Sequence, residues 1–329
     1  MESTVSLTPL RLLAFPVTAV AGQILWMSYF SPTDWLPNAI GIVVLAYCWF
    51  CIGGIAHELI HDNLHLSKGG VWIARTIGCL LLIPHSVYRE VHMRHHAYLN
   101  TPLDWEMWPY CDPRLSTGFR RTFIIFDILL AVFVTPIIWG RICFSKFSPI
   151  SGDIKKTMKR EYAACAIFWF SVVSCCVWLH KTNSFTFRAE HLIFAAPPIL
   201  ATMLNGLRKI MDHVGTESID PVHGTRTIVG QNFITRILSF FNFDLAIHGP
   251  HHRFPKLNHT QLEQKMNELQ EKNPDATYPV YSSFTAALFD TLKRVITKPG
   301  VGINAGFRGD LSHLPMKQSA CGPFDPQPQ

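Results

Sequence analysis

Four runs of about twenty apolar residues constrain this chain more than anything else in it, at approximately 10–30, 38–56, 162–180 and 191–210. A helix of that length crosses the hydrocarbon layer of a bilayer and satisfies its own backbone N–H and C=O groups there. The first run starts polar, is long and aromatic, and leads directly into the second, so it reads as a span and not as a cleaved leader. The expectation is an all-α, polytopic membrane protein with four long transmembrane helices in two hairpins.

Two further apolar stretches read differently. Residues 71–87 contain Arg75 and Pro84, which suits an interfacial or re-entrant segment. Residues 122–143 are long enough to span, but Pro136 interrupts them and Asp127 lies among them. Charge then orders the topology. Arg141, Lys146, Lys155, Lys156, Lys159 and Arg160 crowd the stretch 141–160, whereas 31–37 holds no basic residue. The positive-inside rule places 141–160 in the cytoplasm. A full crossing at 122–143 would put that stretch on the opposite side from His92, so 122–143 is expected to be re-entrant or interfacial. Both termini and the polar part from about 211 to 329 then face the cytoplasm, with only 31–37 and 181–190 outside. No repeat and no second apolar core is visible, so 1–329 reads as a single domain.

Composition agrees: 48% of residues are hydrophobic and only 16% charged. The net charge of +6 sits beside the apolar runs, which points to anionic lipid headgroups and not to nucleic acid. Five of the nine cysteines, Cys48, Cys51, Cys165, Cys175 and Cys176, lie inside apolar runs, where a thiol behaves as a small hydrophobe. Gly300, Gly302 and Gly306 have the wrong spacing for a nucleotide loop.

The sixteen histidines carry the chemistry. The second apolar run ends in His57-Glu58-Leu59-Ile60-His61-Asp62, and histidines four apart on a helix share a face. His65 extends the stripe. Later come His92-Met93-Arg94-His95-His96 and His248-Gly249-Pro250-His251-His252, both with the spacing H-x-x-H-H. In such a trio the last two rings neighbour the first but diverge from each other, so the trio can serve one metal or divide between two. Adjacent imidazoles are costly to desolvate unless a metal or a carboxylate engages them. Eight imidazoles exceed what one tetrahedral zinc takes and suit two metals with open positions. Imidazole alone does not choose among zinc, copper and iron. An apolar substrate reached from the bilayer favours an open iron site that activates dioxygen.

At these residues the chain resembles the membrane fatty acid desaturase and hydroxylase superfamily, through the three boxes, their order and their placement against the hairpins, over roughly 38–260. Tyr98-Leu99-Asn100-Thr101-Pro102 and Asp104 are similar to family sequence as well. Glu58 departs from the aspartate that follows the first histidine in many acyl desaturases. The resemblance implies a cytoplasmic histidine-box cap holding two iron ions through His57, His61, His92, His95, His96, His248, His251 and His252. It adds His213 as a ninth ligand, through the family-like run from Leu207 and Arg208 to Asp212 and His213. Asp62 and Asp212 are the chosen partners for free ring N–H groups, ahead of Asp104 and Asp244. His85, His180, His191, His223, His259 and His313 read as interfacial or loop residues.

The activity so implied is dioxygen-dependent oxidation of unactivated C–H bonds in a lipid-like substrate, foremost fatty acyl desaturation. The electrons would come from a ferredoxin or small cytochrome, at a bacterial inner membrane or the endoplasmic reticulum. The alternatives are a lipid, alkane or carotenoid hydroxylase or ketolase of the same superfamily, and a membrane zinc metalloprotease. The latter would use His57-Glu58-x-x-His61 with Glu58 as general base.

Overall fold

The computed structural model describes residues 8–64 and 69–319; His65 lies outside them. Helices dominate, and the strands among the described residues are one short parallel pair, Thr227–Ile228 beside Val280–Tyr281. Helices α1 (Thr8–Tyr29) and α2 (Trp35–His61) form the first hairpin. It is tied by Trp26 Nε1 donating to Asn38 Oδ1 at 2.9 Å and Trp49 Nε1 to Gln23 Oε1 at 2.9 Å. The expected second span falls within α2, which continues past it to carry His57 and His61 in its last turns.

Both of the shorter apolar stretches are bent. Helices α3 (Gly69–Leu80) and α4 (His85–Ala97) meet at 96°, and α5 (Thr117–Leu129) and α6 (Ala131–Cys143) at 117°. At the first bend Leu82 has a φ of 58° and Pro84 precedes α4. Glu161, from α7 (Gly152–Lys181), holds the corner. Its carboxylate accepts from Ser86 N at 2.8 Å, Ser86 Oγ at 2.6 Å and Arg75 Nε at 2.9 Å. In the second pair the break falls at Leu130 and not at the expected Pro136, which sits inside α6. Helix α8 (Ala196–His213) approaches this break so closely that a Cβ on Gly206 would meet the Asp127 carbonyl at 2.7 Å. Asp127, the charge that stood out in an apolar run, pairs there with Lys209 at 2.6 Å and accepts from the Tyr110 hydroxyl at 2.9 Å. A buried carboxylate needs such a partner.

Three helices, Leu10–Tyr29, Trp35–His61 and Gly152–Lys181, are long and apolar enough to cross a membrane, or up to five spans if each bent pair counts as one. Their outward residues are apolar, as with Leu13 (70% exposed), Val43 (64%) and Phe170 (74%), which water would not favour but lipid does. Two expectations change. Lys155, Lys156, Lys159 and Arg160 lie on α7, whose 30 residues run about 45 Å, so much of the expected basic loop is helix. The expected fourth span, 191–210, is divided. A 3-10 helix, Ala189–Ala195, precedes α8, which restarts with Pro197 and Pro198 in its first turn and carries Arg208, Lys209 and Asp212 near its end. Those charges keep α8 out of the set of apolar spans.

The C-terminal region packs under the helix ends. It comprises α9 (Phe233–Phe241), α10 (His248–Arg253), α11 (Leu262–Lys272) and α12 (Phe284–Thr297). His259, read from sequence as an interfacial or loop residue, is 5% exposed and ties α1 to the C-terminal region. Its Nδ1 donates to Asp244 Oδ2 at 2.7 Å, and its Nε2 lies 2.7 Å from Arg11 Nη2.

Candidate metal centre

The elements that meet beneath α2 each supply imidazoles. Helix α2 brings His57 and His61, α4 brings His92, His95 and His96, α8 ends on His213, and α10 brings His248, His251 and His252. Six-residue α10 is held by Thr227 of the strand pair, whose Oγ1 accepts from Gly249 N at 3.0 Å. A Cβ at Gly249 would meet that oxygen at 2.8 Å, so a larger residue would push the third box off its support.

The nine rings form two groups. His57, His61, His92, His96 and His251 make one; His95, His213, His248 and His252 make the other, with candidate ligand atoms within 4.8 Å of one another in each. The tertiary structure decides how each H-x-x-H-H trio divides. In each trio the first and last rings, four apart, share one group, while the middle ring turns to the other. The two trios do so in opposite senses: His92 and His96 join the first group and His95 the second, whereas His248 and His252 join the second and His251 the first.

The rings are oriented from behind. His57 Nδ1 donates to Glu58 Oε1 at 3.2 Å, His92 Nδ1 to Glu106 Oε2 at 2.7 Å, His95 Nδ1 to Asp104 Oδ2 at 2.8 Å and His248 Nδ1 to the Leu245 carbonyl at 3.1 Å. A ring that gives its Nδ1 proton outward keeps Nε2 as a bare lone pair. Each group contains two rings held in this way. Those lone pairs crowd one another: His92 Nε2 lies 3.0 Å from His61 Nε2 and 3.1 Å from His96 Nε2. In the second group His248 Nε2 lies 2.9 Å from His213 Nε2 and 3.0 Å from His252 Nε2. The Nε2 atoms of His57 and His251 are buried with no hydrogen-bond partner. Buried, inward-turned lone pairs without donors are what a cation satisfies, so the residues fit two metal ions.

Burial disfavours the charged form at two rings of the third box. Burial first, then neighbouring imidazoles, holds His251 and His252 well below the ordinary histidine range. Glu106 behaves oppositely. Burial alone would raise it, but the His92 ring and its hydrogen bond hold the carboxyl below its usual range, so it stays an anion behind that ring.

Of the two carboxylates chosen from sequence, neither holds a ring N–H. Asp62 is exposed, in the left-handed C-cap of α2 at a φ of 58°, where it turns the chain away from the site. Asp212 is buried, with Oδ2 3.9 Å from His248 Nε2, too far for a hydrogen bond. The work falls to Asp104, Glu106 and Glu58. Asp104 is fully buried and also accepts from Asn100 N at 2.9 Å and Met107 N at 3.1 Å, which folds the segment after α4 back onto His95. Glu106 had no periodic signal in the sequence, because its place depends on that fold-back. Among the histidines read as bystanders, His223 pairs with Asp220 at 2.9 Å on the exterior, and none joins either group.

A cavity of about 110 Å³ lies beside the first group, between α2, α3, α6 and α8. Ala56, Tyr88, Glu106 and Trp139 are among its walls; the Tyr88 ring is 5.6 Å from that of His92, and Glu106 holds His92. Among known families, the model described as fatty acid desaturase matches residues 33–285, which include all nine histidines. Comparison with curated proteins gives no match.

Proposed function

The chain belongs to the fatty acid desaturase family, and on that footing we propose that it is a multi-pass membrane oxidoreductase. In this reading it uses two iron ions and dioxygen to desaturate an acyl chain of a lipid-like substrate. The observation that carries the reading is the division of nine histidines, eight of them buried and His96 partly so, into adjacent groups of five and four. With six positions around each iron, both groups leave coordination open. Held by these rings, two irons would activate dioxygen as the oxidant. The balance needs four electrons and four protons per dioxygen to give two waters: two hydrogens from the C–H pair that becomes a double bond, two electrons from a ferredoxin or small cytochrome, and two protons from solvent.

The protein's own part is positional. Asp104, Glu58 and Glu106 fix ring orientation, and Glu106 also lines the cavity beside the first group, where the reacting carbon would lie. Apolar walls at Ala56, Tyr88 and Trp139 keep water from the reacting carbon. The histidine cap faces the cytoplasm, with the basic start of α7 on the same side. The zinc-protease alternative leaves the second group without a role, and Glu58 is engaged with His57 Nδ1 and with Asn63 Nδ2 at 3.2 Å.

The test is expression in a heterologous host with lipid profiling, beside metal analysis of the purified protein. Iron in the protein and lipids lighter by two hydrogens are expected. Lipids heavier by one oxygen would assign hydroxylation instead. Activity with zinc and no iron would overturn the reading.

A further inference from the structure

We propose that Arg208 is the residue that selects the substrate, by pairing with the carboxylate of a single-chain amphiphile next to the metal centre. This deepens the function proposed above and rests on it only for the identification of the bound acid as substrate.

Arg208 is set on α8, one turn before His213. Its side chain is 16% exposed, yet Nε and Nη1 are buried and have no hydrogen-bond partner. The nearest anion, Asp212 Oδ2, is 3.9 Å from Nη1, beyond hydrogen-bonding distance, and Asp212 Oδ1 is itself without a partner. Lys209, the next residue, already has its counter-ion in Asp127 at 2.6 Å. A buried guanidinium with idle donors is costly, the more so beside a site built for cations, and a planar pair of anionic oxygens is the ligand its fork matches.

The space around it has the shape such a ligand needs. Arg208 lines the cavity beside the first histidine group and also a second cavity of about 270 Å³ between α2, α8, α9 and α12. Among the described residues that line the second cavity, Arg208 alone is charged; Phe50, Leu207, Met211, Leu238 and Leu288 are among the others. An apolar pocket with one convergent cation binds an acid that carries a hydrocarbon chain. Asp212 lies within 3.9 Å of both Arg208 and His248, so the acid group and the metal centre are neighbours.

The experiment is binding of a radiolabelled long-chain fatty acid to the purified full chain in detergent, with unlabelled competitors of the same length. The free acid should compete at least about tenfold better than its methyl ester or primary alcohol, as loss of a charge-assisted bidentate contact predicts. Arg208→Gln should weaken acid binding by about tenfold or more, leave ester binding unchanged, and retain the iron content and melting temperature of the parent. Arg208→Lys should keep part of the preference. Equal binding of acid and ester by the parent protein overturns the proposal and needs no variant. So does unchanged acid binding by Arg208→Gln. An alkyl phosphate that outcompetes the acid overturns the carboxylate assignment in favour of a headgroup phosphate. An acid that binds through Arg208 but is never oxidised with iron, reductant and dioxygen supplied would instead overturn the proposed function.

Discussion

The ring of His96 lies flat against that of His252, centroids 4.1 Å apart and planes 19° from parallel. The two belong to different histidine groups, so this stack is the seam between them. His96 comes from α4 and His252 from α10, elements far apart in the chain. The exchange of middle rings across the seam means that neither H-x-x-H-H box serves one group alone.

Neighbours in sequence should therefore fail at different sites. His251→Ala removes a ligand from the first group and His252→Ala one from the second. Each variant is expected to fall from about two irons per chain to about one, and to lose at least about 100-fold in turnover, since even outer partners of ligands cost about 10–100-fold. Metal analysis with product quantification checks this. Two irons and near-normal turnover in His252→Ala would show that the second group holds no essential metal.

His213→Ala extends the argument to the ninth ring. With His213 Nε2 2.9 Å from His248 Nε2, its loss leaves three rings in the second group. Product formation should disappear while the amount of protein in the membrane stays normal. Activity within a few-fold of the parent would reduce His213 to a packing residue.

Carboxylates behind the rings should matter by contact and not by closeness in sequence. Asp104→Asn and Glu106→Gln are expected to lower iron affinity or turnover by about 10–100-fold, because each removes the anion from a 2.7–2.8 Å contact to a ring N–H. Asp62→Asn should stay within about twofold, since Asp62 is exposed. Iron titration under anaerobic conditions separates affinity from turnover.

The Asp127–Lys209 pair should contribute to stability through its burial. Lys209→Met leaves a buried carboxylate with only the Tyr110 hydroxyl as partner, at an expected cost of about 3–5 kcal/mol. Asp127→Leu together with Lys209→Met should recover most of that loss, as removing both charges often does. Melting in detergent of both single variants and the double variant gives the coupling; additive losses would show that the pair does not act as one.

Topology is open to cysteine labelling in a cysteine-free background. Lys156→Cys, at the start of α7, should react only after the membrane is permeabilised, and Thr33→Cys, in the turn between α1 and α2, should react from outside. Labelling of both from the same side would turn the bent α5–α6 pair into a full crossing.

The sequence by itself determined the ingredients. Apolar length announced helices at α1, α2 and α7, because a bilayer accepts little else, and histidine spacing named the rings that could share a helix face. Tertiary structure decided everything that depends on which helix lies opposite which. Whether a trio serves one metal or two cannot follow from spacing alone, since the middle ring's destination is set by the packing of α10 against α4. Asp62 and Asp212 are next to His61 and His213 along the chain, as Glu58 is next to His57, yet of the three only Glu58 engages its neighbour's ring. Distance along the chain says little once α2 ends in a left-handed cap that turns Asp62 outward. Asp104 and Glu106 reach His95 and His92 only because the segment after α4 folds back. The same holds for the fourth apolar run: its hydropathy was legible, but Arg208, Lys209 and Asp212 belong to a helix end facing cavity, ion pair and imidazoles. Their side-chain environment, which no local pattern encodes, makes α8 part of the site as well as part of the wall.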